Sequence, residues 1–112
     1  MIYEFCAENV TLLKKAMHAG ARRIELCDNL AVGGTTPSYG VTKAAVELAT
    51  NYDTTIMTMI RPRGGDFVYN DLEISIMLED IRLTAQAGSQ GIVFGALTAD
   101  KKLDKANLEK LI

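Results

Sequence analysis

The 112-residue chain has no excess of either charge, no long apolar run and only two cysteines. Each shortage removes a class of protein. Twelve Lys and Arg against fourteen Asp and Glu leave a net charge of -2, which argues against a chain built around nucleic acid or an anionic membrane surface. No stretch approaches the roughly eighteen apolar residues of a bilayer span, so no membrane partner is expected. The opening stretch, Met1 to Glu8, is acidic where a secretory leader would be basic, and the expected location is the cytoplasm. In that compartment Cys6 and Cys27 are expected as reduced thiols, buried or binding something, rather than as a disulfide. Low complexity is missing too. Apolar residues make up 48% and charged residues 23%, the balance of a folded chain, and the length fits one α/β domain over residues 1–112.

What is present is an alternation of short strands and helices. Ile2–Ala7 reads as a strand, and Val10, Leu13 and Met17 then fall on one helical face. Arg23–Cys27 is a second strand; after a Gly-Thr-Pro loop, Val41, Ala44, Ala45 and Leu48 follow helical spacing. Thr55–Ile60 is a third strand. The helix after it carries Ile74, Met77, Leu78, Ile81 and Ala85 on one stripe, with Asn70 as its cap and Glu73 completing a capping box. Gly91–Phe94 is the fourth strand, and Asp104 opens a last helix toward Leu108, Leu111 and Ile112. The fold class is α/β: a (βα)4 parallel sheet, half of a TIM (β/α)8 barrel.

Two repeats support this reading. Ala19-Gly20-Ala21-Arg22-Arg23-Ile24 matches Ala87-Gly88-Ser89-Gln90-Gly91-Ile92, each a helix stopped by glycine and fed into a strand. Glu4-Phe5-Cys6 recurs as Glu25-Leu26-Cys27. Four units wound in one direction cover one face of the sheet and leave the other face and both edges bare. Further βα units or a partner must cover them. For a chain complete at this length, the expected partner is a second copy, in a homodimer or higher homo-oligomer.

Strand alternation sorts the chemistry. Tyr3, Phe5, Ile24 and Leu26 suit the helices. Glu4, Cys6, Glu25, Cys27, Met57, Met59 and Arg61 then face the barrel interior. Carboxylates paired there on neighbouring strands would repel without a cation or a proton between them. Barrel interiors usually hold Val, Ile and Leu, so this polar set is costly and points to function. Gly33-Gly34-Thr35-Thr36-Pro37-Ser38 leads into a helix, where free amides and the Thr35, Thr36 and Ser38 hydroxyls suit an anion. Arg61-Pro62-Arg63-Gly64-Gly65-Asp66-Phe67 places two guanidiniums and a flexible turn at the C-terminal end of strand three, the active-site end of such barrels.

Each feature also has a plain reading. Arg61 neutralises Glu4 or Glu25, Cys6 and Cys27 are small hydrophobes, and the Gly-Gly loop is a turn. His18 is a surface residue and the methionines fill the core.

The stretches Ile24–Cys27, Gly33–Ser38, Ile60–Phe67 and Val93–Thr98 resemble the signature segments of the copper homeostasis protein CutC family, in order along the whole chain. The resemblance implies a cytoplasmic (β/α)8 barrel of which this sequence is the N-terminal half. It also implies Cu(I) bound through cysteines that match Cys6 and Cys27. The residues themselves leave a second reading open, an enzyme acting on a small carboxylated or phosphorylated substrate. Glu4, Glu25 and Arg61 are its catalytic candidates; Arg61, Arg63, Gly64, Gly65, Asp66, Thr35, Thr36 and Ser38 are its anion-binding candidates. A third reading is a binding protein without catalysis. The sequence names no reaction.

Overall fold

A computed structural model describes residues 1–112. Strand β1 (Glu4–Glu8) leads to helix α1 (Leu13–His18), β2 (Arg23–Cys27), α2 (Tyr39–Ala49), β3 (Thr55–Met59), α3 (Asp71–Gln86), β4 (Gly91–Val93) and α4 (Lys105–Leu111), with a short 3-10 turn at Leu30–Val32. The four strands lie parallel in the order β1-β2-β3-β4, the topology of half a TIM barrel.

Local chemistry sets the boundaries. Ser38 caps α2 by accepting from the Val41 amide at 3.2 Å. Asn70 accepts from the Glu73 amide at 2.8 Å while the Glu73 carboxylate accepts from the Asn70 amide at 3.1 Å, a complete capping box. Asp104 caps α4 through the Asn107 amide at 3.2 Å. The repeated Ala-Gly stops behave alike. Gly20 and Gly88 have φ of +111° and +98°, and the next residue's amide reaches back five positions, from Ala21 to Ala16 and from Ser89 to Thr84.

The strand faces divide as the alternation predicts. Ala7, Ile24, Leu26 and Ile56 pack under α1 and α2 against Leu13, Met17, Ala45 and Ala49. A second cluster joins Ile60, Tyr69, Ile74, Met77, Ala96 and Leu111.

Several details differ from the periodicity reading. β1 begins at Glu4, and Tyr3 lies ahead of it, 67% exposed rather than packed under a helix. Val10 precedes α1 and is exposed. On α2 the buried residues are Thr42, Ala45 and Ala49, while Ala44 is exposed. On α3 Leu78 and Ala85 are exposed and Thr84 is buried. Apolar spacing alone missed that Thr42 can turn inward, since its hydroxyl donates to the Ser38 carbonyl at 3.1 Å.

Candidate metal centre and strand-end loops

Register decides which inward residues meet. Glu4 lies opposite Arg23, Cys6 opposite Glu25, and Glu8 opposite Cys27. In turn Glu25 lies opposite Met57, which lies opposite Gly91. The repeated Glu-x-Cys triplets are therefore offset by two residues. Glu4 and Glu25 do not face each other, and the expected repulsion is not realised. Glu4 instead accepts from the Arg23 guanidinium at 2.6 Å.

The offset gathers a different set. Cys6 Sγ lies 4.0 Å from Cys27 Sγ, and Cys27 Sγ lies 3.9 Å from Glu25 Oε1. All three donor atoms fall within 4.8 Å of one another. Cys6 is exposed on the inner face, whereas Cys27 is fully buried. The loop after β2 causes the difference. Asp28 and Thr35 exchange amide bonds at 2.9 and 2.8 Å, folding that loop back over Cys27. Gly34, at φ +96°, lies so close that a Cβ there would stand 3.4 Å from Cys27 Sγ. Burial pushes the Cys27 thiol up to about 12, with further contributions from neighbouring Cys6 and Glu25. Both cysteines are free thiols.

The inner wall is also shaped by glycine. A Cβ at Gly91 would meet Met57 Cε at 2.4 Å and Sδ at 2.7 Å, so the Met57 thioether lies across space that only glycine leaves open.

The arginines take up structural duties. Arg61 neutralises neither Glu4 nor Glu25. Its Nη1 donates to the Val32 and Gly34 carbonyls at 2.6 and 2.9 Å, and its Nη2 to the Gly65 carbonyl at 2.8 Å. Its guanidinium lies 4.8 Å from the Phe67 ring centre, and Nε is buried without a partner. Arg61 is thus a buried cation that ties the β2 and β3 loops together. Counted along the wall, Glu4 lies three side-chain rows, roughly 20 Å, from Arg61, so the three catalytic candidates do not converge.

Arg63 is likewise no bare loop tip. It donates to Glu73 at 2.5 Å, to Asp66 Oδ1 at 3.2 Å and to the Asp66 and Val68 carbonyls at 2.9 and 2.8 Å. Its guanidinium lies 5.1 Å from the Tyr69 ring centre. The Arg63 bond holds the Glu73 carboxyl below its usual range.

The glycine-rich loop offers few free donors. The amides of Gly33, Gly34, Thr35 and Thr36 bond to the carbonyls of Leu30, Asn29, Asp28 and Arg61. The Thr36 hydroxyl exchanges with the Arg61 backbone at 2.8 and 3.1 Å, and the Ser38 hydroxyl caps α2. Thr35, Thr36, Ser38, Arg61, Arg63 and Gly64 nevertheless share the wall of one cleft of about 480 Å³. Asp80 of α3 also lines it, its carboxyl raised first by burial and then by Glu79. Nothing in the helical pattern of α3 marks Asp80 from sequence. Glu25 was recognisable as inward from its triplet, but its place beside both thiols depends on register.

A four-unit parallel βα wall with a Cys-Glu-Cys cluster able to chelate a metal ion defines a TIM-barrel-type protein. The CutC family model matches residues 1–112, and the chain belongs to the CutC family. It is 56% identical over 112 residues to a CutC family protein of Streptococcus pyogenes, covering 100% of this chain and 54% of that protein. It is 47% identical over 104 residues to the human copper homeostasis protein cutC homolog, covering 93% of this chain and 37% of that protein. The crystal structure of CutC from Streptococcus agalactiae superposes with a TM-score of 0.95 at 50% identity, over 100% of this chain and 53% of the other. The chain thus spans about half the length of the curated streptococcal and enterococcal relatives it matches, 54% of each. No helix is long and apolar enough to cross a membrane.

Proposed function

We propose that the chain is the N-terminal half of a cytoplasmic CutC barrel that binds Cu(I) through Cys6 and Cys27 in copper homeostasis. The observation that carries this reading is the 4.0 Å approach of two inward thiols from neighbouring strands. The donor chemistry fits, since Cu(I) is soft and accepts thiolates at low coordination number. Binding must displace the Cys27 proton, which burial holds tightly, so the ion has to supply the charge that stabilises the thiolate. The name of the human relative, a copper homeostasis protein, agrees with this reading. A Cu(I) competition titration tests it: Cys6→Ser or Cys27→Ser should remove most binding, and undiminished binding by the double variant would overturn it.

A second reading is favoured by Arg61, a buried cation with no carboxylate partner at the C-terminal end of β3. Such a charge suits a small carboxylated or phosphorylated ligand at the strand-end loops, with Arg63, Gly64, Gly65, Asp66, Thr35, Thr36 and Ser38 around it. Phosphate or a dicarboxylate should then raise the melting temperature by mass action, and an unchanged melt would count against it.

For a chain of these 112 residues alone the proposed partner is a second copy; in a longer protein further βα units take that place. Ile2, Tyr3 and Leu12 are 61%, 67% and 56% exposed, and Tyr3, Phe5, Leu12 and Ala16 line an apolar groove of about 440 Å³ beside the open edge of β1. An edge of unpaired amides and carbonyls next to such a groove suits another βα unit. Sedimentation should show a dimer or larger species. A monomer with a cooperative melt would reject self-association.

A further inference from the structure

Three carboxylates face inward from the first two strands, and two of them are accounted for. Glu4 pairs with Arg23 at 2.6 Å, and Glu8 accepts the Leu30 amide at 2.7 Å. Glu25 has neither a cation nor an N–H donor; the one hydrogen-bond partner of its carboxylate is the Cys27 thiol, at 3.9 Å, with Cys6 Sγ within 4.8 Å. It is partly buried on the inner wall, where an unpartnered carboxylate is costly. A cation in contact with it would remove that cost.

The triangle of donors has the right size for one. Its sides are 4.0 Å between the sulfurs and 3.9 Å from Cys27 Sγ to Glu25 Oε1, with the third no longer than 4.8 Å. A point equidistant from all three then lies ~2.3–2.5 Å from each, against about 2.3 Å for a zinc–thiolate bond and about 2.0–2.2 Å for a zinc–carboxylate bond. Contraction by a few tenths of an ångström closes the set. A linear two-sulfur site at the same bond length would instead spread the sulfurs to about 4.6 Å. The carboxylate oxygen is a hard donor that adds little for Cu(I) but suits a borderline divalent ion.

We propose that Cys6, Cys27 and Glu25 form a three-donor site for a zinc-class divalent cation, with a fourth position open on the inner face for water or a ligand. The proposal rests on the reading that the two thiols hold metal, and adds Glu25 as the ligand that widens the site from copper to divalent ions. Three protein donors and one exchangeable position is the arrangement of zinc sites that bind a further molecule.

The test uses the full chain under anaerobic, reducing conditions with Co2+ as a spectroscopic probe, displaced by Zn2+, beside a Cu(I) competition titration. The expected result is one Co2+ bound with thiolate charge-transfer and four-coordinate visible bands. Glu25→Gln should weaken Zn2+ by about 10–100-fold or more while changing Cu(I) affinity only slightly. Glu25→His, which restores a donor, should recover Zn2+ binding and guards against misfolding of the Gln variant. Zn2+ affinity unchanged by Glu25→Gln, or an octahedral Co2+ spectrum in the parent chain, would overturn the role of Glu25 while leaving Cu(I) binding intact. Loss of neither metal in the Cys6→Ser/Cys27→Ser variant would instead overturn the thiol reading itself.

Discussion

Cys27 stands diagonally across the sheet from Cys6, one side-chain row further toward the C-terminal end, because Cys6 is paired with Glu25 and Cys27 with Glu8. Strand spacing and rise put their Cα atoms roughly 8 Å apart, beyond the ~7 Å that a disulfide spans without backbone movement. The sulfurs nonetheless meet at 4.0 Å because both side chains lean into the same gap. The pair is thus arranged to share a metal ion more readily than to bond to itself.

Oxidised glutathione should accordingly give a mixed disulfide on exposed Cys6 and no Cys6–Cys27 bond. Non-reducing peptide mapping decides this. A Cys6–Cys27 cross-linked peptide from the native chain would contradict the diagonal register.

Alkylation should separate the two thiols. Cys6 is exposed, whereas Cys27 is covered by Gly34 and its thiol is pushed up to about 12. At pH 8 its thiolate fraction is then roughly one in ten thousand, and the thiolate is the reactive form. Iodoacetamide should label one cysteine in the folded chain and the second only after denaturation, as read by mass spectrometry.

Arg61→Met should destabilise the chain by on the order of 3 kcal/mol or more, since charged hydrogen bonds to three carbonyls are lost together. Arg61→Lys should recover only part of this, because a point charge cannot span Val32, Gly34 and Gly65 at once. Urea denaturation of the three proteins gives the comparison.

Acid should weaken the β3–α3 loop through Glu73. Arg63 first, and the Asn70 backbone second, hold this carboxyl below its ordinary 4.5. The unfolded chain then takes up the proton before the folded one does. Stability from this group is present above the unfolded value and is lost as pH falls through the lowered folded value. Glu73→Gln should flatten that part of the pH–stability curve. Asn70→Ala, which breaks the other half of the capping box, should cost about 1 kcal/mol at neutral pH.

The strand–helix alternation, the capping box at Asn70 and the glycine stops at Gly20 and Gly88 were legible in the sequence because each depends on residues within a few positions. Hydrophobic parity likewise put Glu25, Cys27 and Met57 on the inner face, since side chains alternate along a strand whatever its neighbours do. The α2 face was misread in part because Thr42 buries a hydroxyl that only the backbone of Ser38 satisfies.

The site depended on information the sequence does not carry. Two identical Glu-x-Cys triplets suggest that like faces like, yet a two-residue offset between parallel strands sets Glu4 on Arg23 and brings Glu25 beside both thiols. The structural partners of Arg61 and Arg63 are hidden in the sequence because the Val32, Gly34 and Gly65 carbonyls and Glu73 lie four to twenty-nine positions away along the chain. Composition and periodicity determined the elements and the side of the sheet each residue faces. Register and loop closure, set by how whole strands and loops pack, decided which of those residues touch.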